Sequence, residues 1–185
     1  MANSIYIAVS LDGFIARPDG GVDWLPVPDG AEDGDFGFSE FMSRIDAVVM
    51  GRRTLETVLG FNLPVWPYEK PVFVLSTSRR SVPEYLNGKA EIIGGGNVRE
   101  TLARLNARGF RDLYIDGGKT IQGFLAEDLI DEMIITTIPV ILGGGISLFG
   151  AAGKELGFAV EKIEGFGSRM VKIFYRRLRE PARTP

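Results

Sequence analysis

The chain has 185 residues, 45% of them hydrophobic and 24% charged, with a net charge of −3, which fits one ordinary globular domain and leaves little room for a second. There is no basic surplus to neutralise phosphate backbones, so no nucleic-acid partner is expected. Cysteine and histidine are both absent, which removes disulfides, thiolate nucleophiles, Cys/His zinc sites, histidine bases and Ser-His-Asp hydrolysis together.

No charged-then-apolar leader follows Met1 and no apolar run is long enough to span a bilayer. The cytoplasm is therefore the expected location, with no membrane partner. Residues 4–10 (SIYIAVS) form a near-continuous apolar run rich in β-branched side chains and read as a buried first strand. An Asp-Gly turn signal follows at Asp12 and Gly13, then a long Gly/Pro/Asp-rich stretch over 18–34 that contains Trp24 and has the length of a binding loop or lid. Apolar residues at 38, 41, 42 and 45 have helical spacing behind Asp33 and Asp35 as caps.

Residues 47–50 read as a short buried strand running into Gly51, Arg52, Arg53 and Thr54, where a helix opens. An irregular stretch with Pro64, Trp66 and Pro67 leads to a core strand over 71–76, and another strand over 90–93 ends in three glycines. Asn97 caps a helix that ends near Gly109. The run 113–121 (LYIDGGKTI) reads as a buried strand that delivers a glycine pair to a helix start. A strand over 132–142 enters Gly143, Gly144 and Gly145, and 158–164 with 170–178 form a terminal antiparallel hairpin. Strands alternating with helices and closed by a β-pair predict an α/β domain with a mostly parallel sheet over 1–179, followed by a polar tail over 180–185.

In such sheets ligands bind at the carboxyl ends of the strands. Four glycine- or hydroxyl-rich loops fall there, at 51–54, 76–80, 94–96 and 117–120. Glycines admit close approach to the backbone, and a helix start presents free N–H groups, so the set points to an extended phosphate-bearing ligand. Arg52, Arg53, Arg79 and Arg80 directly follow strands, and guanidinium groups suit multidentate phosphate recognition. Neither a GxxxxGK[ST] loop nor GxGxxG is present, so a P-loop ATPase and a standard Rossmann domain are unsupported. With no histidine, hydride transfer from a nicotinamide suits the chain, because the protein then mainly aligns rings and excludes water. Trp24, Phe38, Phe41 and Trp66 suit the wall of an aromatic substrate pocket, with core packing as the other reading of Phe38 and Phe41.

The stretches AVSLDGFIA, VVMGRRT, PVFVLS with its following Thr-Ser, YIDGGKTI and IPVILGGG, in that order, resemble the dihydrofolate reductase superfamily over almost the whole chain. The nearer likeness is to the reductase domain of the bifunctional riboflavin-biosynthesis deaminase–reductase. The resemblance implies a three-layer fold, NADPH as cofactor, no metal, a homodimer, and reduction of a pyrimidine- or pterin-type heteroaromatic, most like 5-amino-6-(5-phosphoribosylamino)uracil. Dihydrofolate reduction and a non-catalytic NADP(H)-binding protein are the alternatives.

Residue by residue, the resemblance sets Gly51, Arg52, Arg53 and Thr54 against the cofactor phosphates. Ser76 and Thr77 fall near the adenosine 2′-phosphate, with Arg53 or Arg79 as its cation. Gly117, Gly118, Lys119, Thr120 and Ile121 hold the pyrophosphate and nicotinamide side, and Ala8 with Ser10 and Asp12 lies beside nicotinamide and substrate. The riboflavin enzymes follow their second strand with an aspartate, proline and arginine pattern that holds the ribose phosphate. This chain has LETVLGFNLPVWPY there and no arginine between Arg53 and Arg79. For the proton, counting back from Gly51 selects Asp35 and counting forward from Trp24 selects Asp29. Asp35 is preferred, with a pKa raised by burial beside Trp24 and Phe38, a helix cap as its other reading, and Asp12 as a second candidate.

Overall fold

The computed structural model describes residues 1–26, 34–78 and 81–179. Asp29, Arg79, Arg80 and the 180–185 tail lie outside the described residues.

Five of the runs read as buried strands form the centre of the sheet: β1 (Asn3–Ser10), β3 (Ala47–Gly51), β4 (Val72–Leu75), β6 (Leu113–Asp116) and β7 (Glu132–Ile138). With β5 (Ala90–Ile92), β9 (Phe158–Phe166) and β10 (Met170–Arg177) they make an eight-stranded sheet of order β5-β4-β3-β6-β1-β7-β10-β9. Every pairing from β5 to β7 is parallel, and β10 runs antiparallel to both β7 and β9. Unbroken Val/Ile/Leu runs suit these central strands because both faces are covered.

Side chains alternate across the sheet. Leu113 and Ile115 join Ile5, Val49 and Phe73 beneath α3 (Val98–Ala107) and α4 (Gly118–Ala126), which contribute Leu105, Ile121 and Phe124. Tyr114 joins Val48, Met50, Val72 and Val74 on the other face, beneath α1 (Phe38–Ser43) and α2 (Arg52–Gly60), which contribute Phe41 and Leu55. The result is the expected three-layer α/β arrangement, and the alternation puts Asp116 on the Tyr114 face. The Asn97 cap forms as expected, its side chain accepting the Arg99 amide at 2.8 Å.

Strand β7 stops at Ile138, short of the expected 142, and two strands were not expected. These are β2 (Phe14–Ala16) and β8 (Ile146–Ser147), which pair antiparallel as a separate two-stranded sheet. Three and two residues are too few to show a period of two in sequence. Gly145 makes the pairing possible: its φ is 155°, and a Cβ there would collide with the Ala16 carbonyl.

Candidate active site

Helices α2 and α4 start side by side at the carboxyl ends of β3 and β6. Reciprocal close contacts set the spacing: a Cβ on Gly117 would collide with Thr54 Oγ1, and one on Gly51 would lie 3.1 Å from Thr120 Oγ1. Gly117 also needs its glycine conformation, with φ at 87°. Both helices have a glycine N-cap that supplies no side-chain hydrogen bond. Two sets of first-turn N–H groups are thus left for something other than a cap.

These starts open onto a cleft of about 900 Å³. Its lining sorts by chemistry into two groups: a glycine-, hydroxyl- and amide-rich one that includes Gly51, Thr54, Gly117, Gly118, Thr120, Gln122 and the Gly145–Ser147 stretch, and an apolar one that includes Ala8, Val22, Leu25, Val58, Phe61 and Tyr68. Arg52, Arg53 and Lys119, in the first turns of α2 and α4, and Asp116 are its charged members among the described residues. Arg52 Nη1 is held by both carboxylate oxygens of Glu56, at 2.8 and 2.9 Å. Arg53 and Lys119 form no ion pair among the described residues.

Asp116 is the acid of this cleft. Its carboxylate accepts the Gly117 amide at 2.8 Å. Burial pushes its pKa up to about 6, against the partial opposition of that amide and the Tyr114 hydroxyl. The neighbouring Tyr68 hydroxyl is pushed up as well, first by burial and then by the Asp116 charge. Tyr68 is backed by Trp66, whose ring meets it edge-on at 5.3 Å. In the sequence Asp116 stands out only as the last residue of the strand that delivers the glycine pair. The signal that picks it out is a carboxylate at the carboxyl end of a buried strand immediately before a glycine pair.

The expected cofactor residues Ala8, Gly51, Arg52, Arg53, Thr54, Gly117, Gly118, Lys119 and Thr120 all line the cleft. Three others do not. Ser76 is buried with its hydroxyl accepting the Ser78 amide at 3.2 Å. Thr77 packs against Gly95, and Ile121 is fully buried beneath α4. Gly118 lines the cleft but is itself buried, with Ile15, Ile146 and the Ser147 carbonyl within 3.3 Å of where a Cβ would be. Its missing side chain therefore makes room for the β2–β8 sheet, rather than for a ligand alone as expected.

The substrate-side expectations change more. Phe41 and Phe38 pack with Tyr6 and Tyr114 in the core under α1 and are absent from the cleft lining. Trp24 and Trp66 are also absent from it, while their neighbours Val22, Leu25 and Tyr68 are present. Ser10 is buried, its hydroxyl donating to Asp12 at 2.7 Å and accepting the Phe14 amide at 3.0 Å. Asp12 in turn accepts the Leu142 and Gly143 amides at 3.1 and 2.8 Å, which ties two loops together. The Ser10 hydroxyl above all, then those amides, hold the Asp12 carboxyl below its usual range.

Asp35 is exposed and accepts the Gly37 and Ser39 amides at 3.0 and 2.6 Å, the arrangement of a helix cap. Hydrogen bonds from Ser39, and then from Gly37, hold its carboxyl below the usual range. The expectation of a raised pKa is thereby reversed, because the residue is not buried beside Trp24 and Phe38. Among the described residues no group of three or more acidic side chains could hold a metal, and no helix is long and apolar enough to cross a membrane.

Parallel strand ends, paired helix starts with glycine caps and a half-buried acid beside their cleft are the layout of a dihydrofolate reductase-like fold. The particular family follows from comparison: the RibD C-terminal domain family matches residues 4–172, and the chain belongs to it. The chain is 40% identical over 175 residues to the uncharacterized protein YwjB of Bacillus subtilis, covering 94% of this chain and 96% of that one. It is 48% identical to the crystal structure of a protein provisionally named for riboflavin biosynthesis from Shewanella sp. PV-4. That match has a TM-score of 0.88 and covers 97% of this chain and 100% of the other. The fold also matches a deaminase/5-amino-6-(5-phosphoribosylamino)uracil reductase of Thermotoga maritima, at a TM-score of 0.71 and 20% identity. There the match covers 96% of this chain and 56% of the other.

Proposed function

We propose that the protein is an NADPH-dependent reductase acting on a pyrimidine- or pterin-type ring. The observation that carries this reading is the joining of the two uncapped helix starts to Asp116 through the Gly117 turn. The cleft suits a dinucleotide: its phosphates find free N–H groups at α2 and α4, with Arg53 and Lys119, which form no ion pair among the described residues, as cations beside them. Backbone can approach closely at Gly51 and Gly117. When bound, NADPH supplies a hydride, that is, two electrons and one hydrogen.

The chain's own task is to hold the ring and deliver the matching proton. Val22, Leu25, Val58, Phe61 and Tyr68, which line the cleft together with Asp116, would exclude water around the ring. A carboxyl group with a pKa near 6 retains its proton in part near neutrality and can pass it to a ring nitrogen or carbonyl oxygen. The acceptor then gains one C–H and one N–H or O–H bond, and Asp116 is left ionised until solvent returns its proton. The same carboxyl favours an enzyme over a nucleotide-binding protein without turnover, because binding alone needs no acid held near neutrality. Assembly as a homodimer belongs to this reading and is tested by light scattering.

The test is NADPH consumption with a panel of pyrimidine and pterin compounds, run on the wild type and on Asp116→Asn. Ring-dependent consumption by the wild type that is lost in the variant supports the reading. Tight NADPH binding with no ring-dependent consumption makes the protein a binder.

A further inference from the structure

The segment joining α2 to β4 leaves the cleft at Phe61 and returns to it at Tyr68, both of which line it. Between them, Leu63 is 50% exposed and Val65 73%, and Phe61 itself is 48% exposed. Three large apolar side chains exposed within five residues of a segment that starts and ends on the cleft lining offer apolar contact to a ligand reaching out of it.

The charges are distributed in the opposite sense. Among the described residues the basic side chains lining the cleft are Arg52, Arg53 and Lys119, all within the first turns of α2 and α4. Those are the groups the cofactor phosphates use, and Arg52 is already shared with Glu56. Among the described lining residues the acid is Asp116, and an anionic phosphate beside it is repelled once that group ionises. From Phe61 to Tyr68 the sequence is FNLPVWPY, with no cation to hold a second phosphate.

We propose that the substrate is an unphosphorylated heteroaromatic carrying an apolar substituent, the ring lying beside Asp116 and the substituent along Phe61, Leu63 and Val65. This rests on the reductase reading and narrows its substrate. A phosphoribosyl group, as named for the Thermotoga maritima relative, finds no partner along this segment.

Three 5-amino-6-substituted uracils test it, bearing a ribosyl 5′-phosphate, a ribosyl or a benzyl group. Their affinities are measured by calorimetry with NADP⁺ present, and NADPH affinity is measured separately. The benzyl compound is expected to bind about tenfold or more tightly than the phosphate. Leu63→Asn with Val65→Thr, which removes the apolar surface without adding charge, is expected to abolish that preference and leave NADPH affinity unchanged. Tightest binding of the phosphate, equal binding of all three, or binding of none overturns the proposal. So does a double variant that keeps its preference, or one whose only change is in oligomeric state, which would assign the surface to a second copy. A wild-type protein that binds no NADPH would remove the reductase reading and this proposal with it, whereas any of the contrary outcomes above with NADPH affinity intact overturns this proposal alone.

Discussion

Asp116 and Gly117 are joined by a 2.8 Å hydrogen bond from the glycine amide to the aspartate carboxylate. The half-buried acid and the turn that starts α4 are therefore one rigid unit, and a ligand seated on the turn is seated against the acid. Asp116→Asn keeps the shape and an acceptor oxygen but loses the proton. Turnover is expected to fall by about 10²- to 10⁴-fold, the usual span for a general acid, with NADPH affinity nearly unchanged. The wild-type rate is expected to decline as pH rises through about 6, because the protonated form is the active one. A variant as fast as wild type, with the same pH profile, would remove Asp116 from the chemistry.

The same carboxyl affects stability with a definite sign. Its folded pKa, about 6, lies above the ordinary 3.8. Its contribution is therefore intact below the ordinary value and lost as pH rises through the folded one. The loss is of the order of 2–3 kcal/mol. Asp12 and Asp35 are held below the usual range and act in the opposite sense: their contribution is present above the ordinary value and lost as pH falls through the depressed folded one. The comparison with Asp116→Asn isolates the first term. The variant is expected to be more stable than wild type at about pH 8, with the gap closing toward about pH 4. Urea unfolding of both proteins across that range checks it.

What the sequence revealed and what it concealed divide along physical lines. Strands β1, β3, β4, β6 and β7 were legible because burial on both faces demands unbroken apolar runs. The turn at 117–120 was legible because a glycine pair between strand and helix has few uses. The acid was not. Asp35 and Asp116 are both aspartates beside helix starts, and only tertiary burial separates them. Tyr68, which shares the Asp116 surroundings, lies 48 positions earlier in the chain. Phe38 and Phe41 had the right spacing for either a pocket wall or a core face, and their partners Tyr6 and Tyr114 come from two other elements. Nothing local decides such cases.

Asp35 now carries a structural expectation. Its carboxylate holds the Gly37 and Ser39 amides at the start of α1. Asp35→Ala is expected to cost about 0.5–2 kcal/mol, the usual range for a lost cap, and to leave the turnover rate near wild type. Thermal unfolding and steady-state kinetics on one preparation decide between a cap and an acid. A large fall in rate with unchanged stability would restore Asp35 as the proton source.

Gly118 tests the seating of the β2–β8 sheet on the α4 start. A Cβ there would lie 3.2 Å from both Ile15 Cδ1 and Ile146 Cγ2. Valine adds two further methyl groups to that contact, and overpacking of this kind costs about 1–3 kcal/mol. Gly118→Val is expected to lower stability by that amount and to weaken NADPH binding, with Gly118→Ala intermediate in both. Unchanged melting and unchanged affinity in the valine variant would show that the small sheet yields freely.

Cofactor choice rests on the cations at the α2 start. Arg53 makes no ion pair among the described residues, whereas the Arg52 guanidinium is committed to both oxygens of Glu56. A 2′-phosphate meeting Arg53 gains a charge-assisted hydrogen bond of about 1.5–3 kcal/mol. That corresponds to a preference for NADPH over NADH of roughly ten- to a hundred-fold per bond. Ser76 and Thr77, expected to share this task, do not line the cleft, so the preference falls more heavily on the arginines. Arg53→Gln is then expected to bring NADPH affinity close to that of NADH while hardly changing NADH itself. Arg52→Gln is expected to have the smaller effect, since its guanidinium must first leave Glu56. Titration calorimetry of both cofactors against the three proteins reads this directly. Equal wild-type affinities, or a selective loss in the Arg52 variant alone, would move the 2′-phosphate away from Arg53.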